Sequence, residues 1–268
     1  MRIRTIVMAG IISLAGILSS CKSKQQKDAA INDNAVSNVE TDTIDDGADV
    51  FNTKNGTEIR MYCIKHGSIR MKIADKWLYV DPVTTGAQPE TDYTEFPKAD
   101  FILVTHDHYD HLDSTAVSQL WKDGTQVICN NDSRDKLGFG DAMANGDSLT
   151  FGDGWTVNAV PAYNNSPEKL QFHPQGRDNG YILTIDGFRI YIAGDTEDIP
   201  EMEDVKDIDV AFLPCNLPFT MTPEQLQKVA NTVKPEVLFP YHYGDTDMQQ
   251  VTALLEGSGI DVRIRQYQ

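Results

Sequence analysis

The sequence predicts an α/β domain with mixed sheets and outer helices. Short apolar or alternating runs separated by turn residues fill the chain from about residue 58 to residue 192. From about residue 210 onwards, apolar runs alternate with segments of helical spacing. Strand runs followed by strand–helix units are typical of α/β architectures, in which helices cover the sheets.

The first half is predicted to consist mainly of strands. The runs Glu58 to Ile64, Ile69 to Ala74 and Trp77 to Val80 predict an N-terminal β-meander. Phe101 to Thr105 reads as a buried strand, and Ser114 to Trp121 has helical spacing. Further strands are predicted at 126–129, 148–151, 155–160, 181–185 and 189–192, with hairpin turns at Asp153-Gly154 and Asp186-Gly187.

The second half carries a clear helix start. Thr222 is followed by Pro223 and, three residues after the Thr, by Gln225, which is the pattern of a capping box with proline at the first helical position. The helix is predicted to reach about Val233. A strand at 236–240, a helix at about 247–255 and a strand at 262–265 complete the chain.

The N-terminus resembles a bacterial lipoprotein signal. Basic residues precede an apolar stretch from Ile6 to Leu18, and Leu18-Ser19-Ser20-Cys21 resembles a lipobox in which Cys21 is acylated. Residues 1–21 are therefore predicted to be a signal peptide, with an ordinary cleaved signal as the alternative. Lys22 follows the Cys, which favours the outer membrane, so the protein is expected to be extracytoplasmic and lipid-anchored.

Composition separates a tether from a domain. Residues 22–57 are polar, with few aromatics and no sustained period, and are predicted to be a flexible tether spanning roughly 30 to 35 Å. Residues 58–268 are long enough for one domain with its own core. Cys63, Cys129 and Cys215 lie in or beside apolar runs, where buried free thiols are expected rather than a disulfide framework.

The run from Thr105 to Asp113 is the most informative segment. It places His106, His108 and His111, together with Asp110, directly after a predicted strand. His106 and His108 can share one metal ion on the same side of an extended backbone, and Asp110 with His111 can reach a second ion. The alternative is a histidine-rich surface loop. The net charge of −17 disfavours a nucleic-acid partner, so a small-molecule substrate is expected.

Possible ligands also follow other strand-like runs. Asp195 follows the alternating run 188–194, and His242 follows 237–240. His173 and His66 are the remaining histidines of the chain. Because loops at the C-terminal ends of strands gather into sites in α/β proteins, we expect several of these side chains to meet.

These motifs together resemble the metallo-β-lactamase superfamily over nearly all of residues 58–268. The resemblance rests on Val80-Asp81-Pro82, the Thr105–Asp113 run, Gly194-Asp195-Thr196 and Pro240-Tyr241-His242. It implies a four-layer αβ/βα sandwich with a metal site at one edge. Within the superfamily, the chain is similar to the group of L-ascorbate-6-phosphate lactonase and N-acylphosphatidylethanolamine-hydrolysing phospholipase D.

The resemblance also implies roles for individual residues. His106 and His108 would bind a first ion, Asp110, His111 and His242 a second, and Asp195 would bridge both. Two Zn²⁺ ions holding a bridging hydroxide suit this ligand set, and Fe or Mn is an alternative. Asp110 would also orient the nucleophile and is the predicted catalytic residue.

The chain departs from the family pattern at one point. A histidine ligand follows Pro-Ala-x in several relatives, but here Pro161-Ala162-Tyr163 leads to Asn164. His173 is the predicted replacement on the first ion, and Asn164 or water is the alternative. His66 is predicted to have a supporting role or a substrate contact. Substrate contacts are also predicted for Tyr163, Asn164, Asn216 and Tyr243.

The leading hypothesis is a lipid-anchored, extracytoplasmic dinuclear zinc hydrolase of a small ester, lactone or phosphodiester. One alternative is a non-catalytic metal-binding or sensor lipoprotein, and a second is a phospholipase D-like enzyme acting on N-acyl phospholipids. An intact ligand set favours catalysis, because loss of activity usually erodes at least one ligand. The membrane is expected to be contacted through the lipid anchor only.

Overall fold

The computed structural model describes residues 47–266, which all belong to the unit Asp45–Gln268. The predicted signal peptide with Cys21, and residues 22–46 of the predicted tether, lie outside the described residues. Two seven-stranded sheets and four α-helices are found in residues 47–266.

The first sheet has its strands in sequence order. Strands β1 to β4 are antiparallel, and β4 to β7 are parallel. The strand bounds are β1 Asp49–Asn52, β2 Glu58–Lys65, β3 Ser68–Ile73, β4 Lys76–Val80, β5 Phe101–Val104, β6 Gln126–Cys129 and β7 Asp141–Ala142.

The second sheet repeats the topology of the first. Strands β8 to β11 are antiparallel, and β11 to β14 are parallel. Their bounds are β8 Ser148–Phe151, β9 Trp155–Ala162, β10 Asp178–Ile185, β11 Phe188–Ile192, β12 Val210–Pro214, β13 Val237–Tyr241 and β14 Asp261–Val262. Each half of the domain is thus a meander followed by parallel strands.

The helices connect the parallel strands. Their bounds are α1 Ser114–Leu120, α2 Asn131–Leu137, α3 Pro223–Val233 and α4 Met248–Leu254. The predicted capping box is present at α3: the Thr222 side chain accepts from the Gln225 amide, and the Gln225 side chain accepts from the Thr222 amide. None of the helices within residues 47–266 is both long and apolar enough to cross a bilayer.

Alternation of side chains along the strands produces the layers. In β5, Phe101 and Leu103 join the core between the two sheets, whereas Ile102 and Val104 pack with the residues of α1. In β12, Phe212 joins the central core and its neighbour Leu213 packs with α3. Because successive strand residues point to opposite faces, each sheet packs against the other sheet on one face and against helices on the other face. The result is the predicted four-layer αβ/βα sandwich.

Two expectations about the ends of the domain are corrected. The tether was predicted to extend to residue 57, but Asp49–Asn52 forms β1 and pairs antiparallel with β2. The domain therefore begins before residue 58. The polar composition did not predict this strand, because β1 is held by backbone hydrogen bonds to the edge of the meander. The last strand is shorter than predicted and covers Asp261–Val262.

An ion-paired clasp joins the two ends of the described domain. The Asp49 carboxylate accepts hydrogen bonds from Arg263 and Arg265 at 2.6 to 2.9 Å. Asp49 is buried, so each of its oxygens is occupied by a guanidinium donor instead of water. The clasp links the outer strand of one sheet to the segment after the outer strand of the other.

Candidate metal centre

The predicted site residues meet at one edge of the sandwich. The run 106–111 follows β5, Asp195 follows β11 and His242 follows β13, all at the C-terminal ends of parallel strands. Ligand sites in open α/β sheets collect at such ends.

Antiparallel neighbours bring two more histidines to the same edge. His66 lies in the turn between β2 and β3, and the start of β3 pairs with the end of β4. His173 precedes β10, whose residue Tyr181 pairs with Ile192 at the end of β11. All six histidines of the chain therefore lie at one site, including His66, for which a supporting role or a substrate contact was predicted.

His106, His108 and His173 form the first ligand group. Each offers a ring nitrogen within 4.8 Å of the others. His106 Nε2 lies 3.1 Å from His108 Nδ1, and the His106 and His173 side chains are buried. His173, the predicted replacement ligand, is thus brought together with His106 and His108.

His66, Asp110, His111 and His242 form the second group, again within 4.8 Å of one another. His66 Nε2 lies 3.0 Å from Asp110 Oδ2, and His242 Nε2 lies 3.7 Å from the same oxygen. The His66 and His242 rings lie with their centroids 3.7 Å apart and their planes tilted by 43°. Sequence reasoning gave His66 a supporting role, and the structure adds it to the possible ligands.

Asp195 lies between the two groups. Its Oδ2 is 3.4 Å from His173 Nε2 in the first group and 3.3 Å from His242 Nε2 in the second. Its Oδ1 is 3.4 Å from His111 Nε2. A single buried carboxylate is therefore placed to contact ions held by either group.

Three histidines are oriented through their Nδ1 atoms. His111 Nδ1 lies 2.8 Å from Asp81 Oδ2, and His173 Nδ1 lies 3.0 Å from Asp178 Oδ2. Thr105 Oγ1 donates to Asp81, so it accepts from His106 Nδ1 at 2.9 Å. With the proton on Nδ1, each ring presents the Nε2 lone pair to the site, as in histidines that bind metal.

The residues present fit metal ions. Nine buried side-chain polar atoms of the described residues have no hydrogen-bond partner, and four of them belong to this cluster: His111 Nε2, Asp195 Oδ1 and both ring nitrogens of His242. Buried polar atoms are rarely left in this state without an ion or water. Tetrahedral Zn²⁺ with bonds of 2.0 to 2.1 Å places its ligand atoms about 3.3 Å apart. The observed separations of 3.1 to 3.4 Å match that spacing.

The electrostatics favour positive charge at this edge. Burial holds the pKa of His106 well below 6.5 and lowers that of His108, so both rings are neutral. Burial alone would lower the pKa of His111, but Asp195 and Asp81 raise it to about 10. Burial opposes ionisation of Asp110, yet the neighbouring His242 and His66 imidazoles hold its pKa well below 3.8. The ionised carboxylates therefore attract a proton or a cation.

A cavity of about 840 Å³ opens over both ligand groups. Its lining includes His66, Asp110, Asn216 and the segment 86–88. Asn216 thus lies where a substrate contact was predicted. The size suits a small organic molecule.

Three predicted substrate contacts are corrected. Tyr163 packs in the outer core under α3, and its hydroxyl donates to Glu201. Tyr243 packs beside both cores of the second sheet and donates to the Arg265 carbonyl. Asn164 is buried and donates from Nδ2 to the Phe219 carbonyl, so it holds a loop instead of contacting substrate. None of the three lines the cavity.

The residues that orient the histidines were missed as a group. Asp81 was noted only as part of a family motif, and neither Thr105 nor Asp178 was assigned a role. Arg177, which donates to both Asp178 oxygens, was also overlooked. Asp81, for example, contacts Thr105 and His111, which lie 24 and 30 positions further along the chain. Contacts over such separations leave no local pattern in the sequence.

A four-layer αβ/βα sandwich with a histidine and aspartate cluster at one strand edge defines the class of metallo-β-lactamase-fold hydrolases. The chain matches the beta-lactamase superfamily domain over residues 76–243. It is also similar to a UPF0173 metal-dependent hydrolase of Anoxybacillus flavithermus, with 33% identity over 74% of this chain and 94% of the relative.

Solved structures agree with this class. A candidate metal-dependent hydrolase from Parabacteroides distasonis is 52% identical, with a TM-score of 0.79 over 82% of this chain and 99% of that one. Igni18, a metallo hydrolase from Ignicoccus hospitalis, shares the fold at 22% identity, with a TM-score of 0.66 over 78% of this chain and 95% of that one. The chain belongs to the beta-lactamase superfamily. It is a metal-dependent hydrolase with a His/Asp cluster that can bind metal.

Proposed function

We propose that the chain is a dinuclear zinc hydrolase of small esters, lactones or phosphodiesters. The observation that carries the proposal is the position of Asp195 between two ligand groups, within 3.4 Å of histidines from both. His106, His108 and His173 would hold one ion, and Asp110, His111 and His242 the other. Asp195 would contact both, and His66 is a further possible ligand of the second ion.

Zinc is proposed because the donors are imidazoles and carboxylates at tetrahedral spacing, although sites of this kind also accept Fe or Mn. A pair of such ions supplies an acidified water as nucleophile and polarises the oxygen that gains charge. Asp81, Asp178 and Thr105 supply the fixed ring orientations that such chemistry requires.

Asp110 is the proposed catalytic residue of the chain itself. It lines the cavity, and its depressed pKa keeps it ionised, so its free oxygen can only accept a hydrogen bond. A water or substrate hydroxyl in the cavity would therefore donate to it and be oriented by it. His66, 3.0 Å away, fixes the direction of the carboxylate.

A small substrate agrees with both the cavity and the charge. About 840 Å³ is within the usual range for sites that bind drug-sized molecules. A net charge of −17 opposes the phosphate contacts that a nucleic-acid substrate needs. No nucleic-acid partner is proposed.

The test combines metal content with turnover. We expect two equivalents of zinc in the purified protein, and hydrolysis of at least one member of a panel of lactones, carboxylesters, phosphodiesters and β-lactams. His108→Ala and Asp195→Asn should lower turnover by at least 100-fold, whereas Asp153→Asn at an exposed hairpin turn should not. Zinc binding without variant-sensitive turnover would favour a metal-binding or sensor protein. Failure to bind zinc after reconstitution would reject both functions.

We further propose that the enzyme is lipid-anchored through Cys21 and faces an extracytoplasmic compartment. The Leu18-Ser19-Ser20-Cys21 motif supports this location. In a bacterial host, Cys21→Ser should abolish incorporation of labelled palmitate and release the protein from the membrane fraction. Cys63→Ser is the matched control and should keep the label. Equal labelling of the two variants would refute the anchor.

A further inference from the structure

Large apolar side chains are exposed on the segments that surround the catalytic cavity. Seven such residues are exposed among those described, and four of them belong to these segments: Tyr109, Leu170, Leu217 and Phe219. Tyr109 and Phe219 line the cavity itself. Leu170 and Leu217 each lie two residues from an aromatic residue of the lining. Concentrations of this kind commonly mark binding surfaces.

Phe172 and Phe219 form an aromatic wall inside the cavity. Their rings meet edge to face with centroids 5.1 Å apart, and both belong to the lining. They come from different loops, one before β10 and one after β12. Phe172 immediately precedes His173, so the wall adjoins the first ligand group.

Hydrogen bonds fix the backbones that carry the two rings. Asn164 Nδ2 donates to the Phe219 carbonyl at 2.8 Å, and Arg177 Nη2 donates to the Phe172 carbonyl at 2.9 Å. These donors come from the same region of chain as His173. The aromatic wall is thus attached to the elements that place the histidine and its partner Asp178.

A buried lysine joins the two loops. Lys169 Nζ lies 2.7 Å from Glu197 Oε1 and donates to the Thr220 carbonyl at 3.0 Å. Both charged side chains are buried. Burying such a pair gives little net stability, so its value lies in fixing a specific arrangement. Here Glu197 fixes Lys169, and the hydrogen bond from Lys169 to the Thr220 carbonyl holds the loop of Phe172 against the loop of Phe219. The wall is therefore formed before any ligand arrives.

We propose that Phe172 and Phe219 form a subsite for an aryl or medium-chain acyl group of the substrate. The inference deepens the proposed hydrolase function and rests on it for the reacting bond. The two rings line the same cavity as His173, so a molecule packed on the rings lies beside a ligand group. This position distinguishes the subsite from a general hydrophobic surface. The preferred substrates are small molecules with one apolar substituent next to the scissile group.

The first test uses γ-lactones with the same ring and side chains of increasing length, from γ-butyrolactone to γ-decalactone. For the zinc-loaded protein, kcat/KM should rise by about threefold to fourfold for each added methylene that packs on the rings. Phe172→Ala and Phe219→Ala should flatten this dependence, so that kcat/KM falls far more for γ-decalactone than for γ-butyrolactone. Phe219→Leu should retain part of the dependence.

Phe139→Ala is the matched control. Phe139 is 41% exposed compared with 40% for Phe219, and it pairs edge to face with Trp121 at 5.3 Å, outside the cavity. This variant should keep the wild-type length dependence. Circular dichroism and zinc stoichiometry of every variant separate loss of the subsite from loss of the fold.

A binding measurement that needs no turnover completes the test. Saturation-transfer NMR with 3-phenylpropan-1-ol on the metal-free protein should show transfer to the phenyl protons. The signal should be lost in Phe172→Ala/Phe219→Ala and kept in Phe139→Ala. If no member of the substrate panel reacts but this pattern is observed, the proposed function fails and the subsite stands.

Two results would overturn the subsite. One is turnover without length dependence, or with a dependence that the phenylalanine variants leave unchanged. The other is that Phe172→Ala/Phe219→Ala binds phenylpropanol as the wild type does but co-floats less with phosphatidylglycerol vesicles than the wild type does. The second result would assign the aromatic wall to a membrane contact.

Discussion

At the scale of single residues, one carboxylate orients two histidines. Asp81 accepts from the Thr105 amide and hydroxyl and contacts His111 Nδ1 directly, and Thr105 in turn accepts from His106. The second Asp of this kind, Asp178, serves His173 alone. Because Asp81 affects members of both ligand groups, its loss should weaken the whole centre.

Asp81→Asn should lower the affinity for zinc by about 10-fold to 100-fold. The amide of Asn carries donors where the wild-type carboxylate accepts three hydrogen bonds, so at least one of His111 and Thr105 loses its partner. Competition with a chromogenic zinc chelator measures the effect. Asp153→Asn, at an exposed turn, is the control. Equal zinc affinity in the two variants would contradict the orienting role.

Residue types in a motif were enough to predict most of the possible ligands, but not the residues that orient those ligands through hydrogen bonds. His106, His108 and His111 are adjacent in sequence, and Asp195 and His242 follow recognisable strands. His66 approaches Asp110 across 44 positions, and no local signal records that contact. The buried Asn164 illustrates the same limit, since only the folded loops show that it binds a carbonyl.

At the scale of elements, Lys65 fixes the segment that forms one wall of the cavity. It ends β2 with a buried ammonium group that donates to the carbonyls of Thr84, Ala87 and Pro89 at 2.7 to 2.9 Å. Gly86, Ala87 and Gln88 of this segment line the cavity. All three ammonium donors are used, so the segment has a single well-defined position.

Lys65→Met should loosen the wall without unfolding the domain. The three carbonyls lose their common donor, and we expect a loss of about 2 kcal/mol in the free energy of unfolding. Amide hydrogen exchange in residues 84–91 should accelerate by at least 10-fold. Lys54→Met, at an exposed lysine, should change neither quantity. Slow exchange retained in Lys65→Met would show that other contacts hold the segment.

Glu197 gives the loop before β10 a pH-dependent attachment. Burial alone would raise the pKa of Glu197, but hydrogen bonds from Lys169 and Ser166 lower it from 4.5 to about 2. Because the folded-state pKa is depressed, its contribution to stability is complete above pH 4.5 and is lost as the pH falls towards 2.

Glu197→Gln should lower the free energy of unfolding at pH 7 by about 3 kcal/mol, because it leaves Lys169 buried without its counter-charge. Between pH 4.5 and 2, stability should fall less steeply in this variant than in the wild type. Denaturation curves at pH 7, 4.5 and 3 measure both effects. Glu203→Gln, at an exposed position, should follow the wild type. Parallel pH profiles for wild type and Glu197→Gln would be inconsistent with the assigned pKa.

Elements were predictable where periodicity or capping was strong. The meander of β2 to β4 and the capping box of α3 follow directly from the sequence. Helix α2 was missed because Ser133 is its only buried residue, so no apolar stripe marks it. Strand β1 was missed because it has four residues in a polar context.

At the scale of the whole molecule, the candidate metal centre is built from both halves of the domain. The first sheet supplies the residues from 106 to 111, and the second supplies His173, Asp195 and His242. An ion held by both halves would constrain their relative position as a cross-link does. Metal binding should therefore stabilise the entire fold and not only the loops.

Zinc removal should lower the midpoint of thermal unfolding. With free zinc at about 1,000 times its dissociation constant, the linkage amounts to about 4 kcal/mol. Calorimetry with and without a chelator measures the shift. In Asp195→Asn, which loses the contact to both groups, the chelator should have a much smaller effect. An equal shift in this variant would show that Asp195 does not contribute to holding the ion.

The clasp of Asp49 with Arg265 brings together residues 216 positions apart. The beginning and end of the folded domain are therefore neighbours in space, and a short peptide could connect them without crossing the sandwich. New termini could then be opened at the exposed segment 138–140 after α2. A circularly permuted chain of this kind would retain both ligand groups. The site would then form whichever half of the domain comes first in the chain.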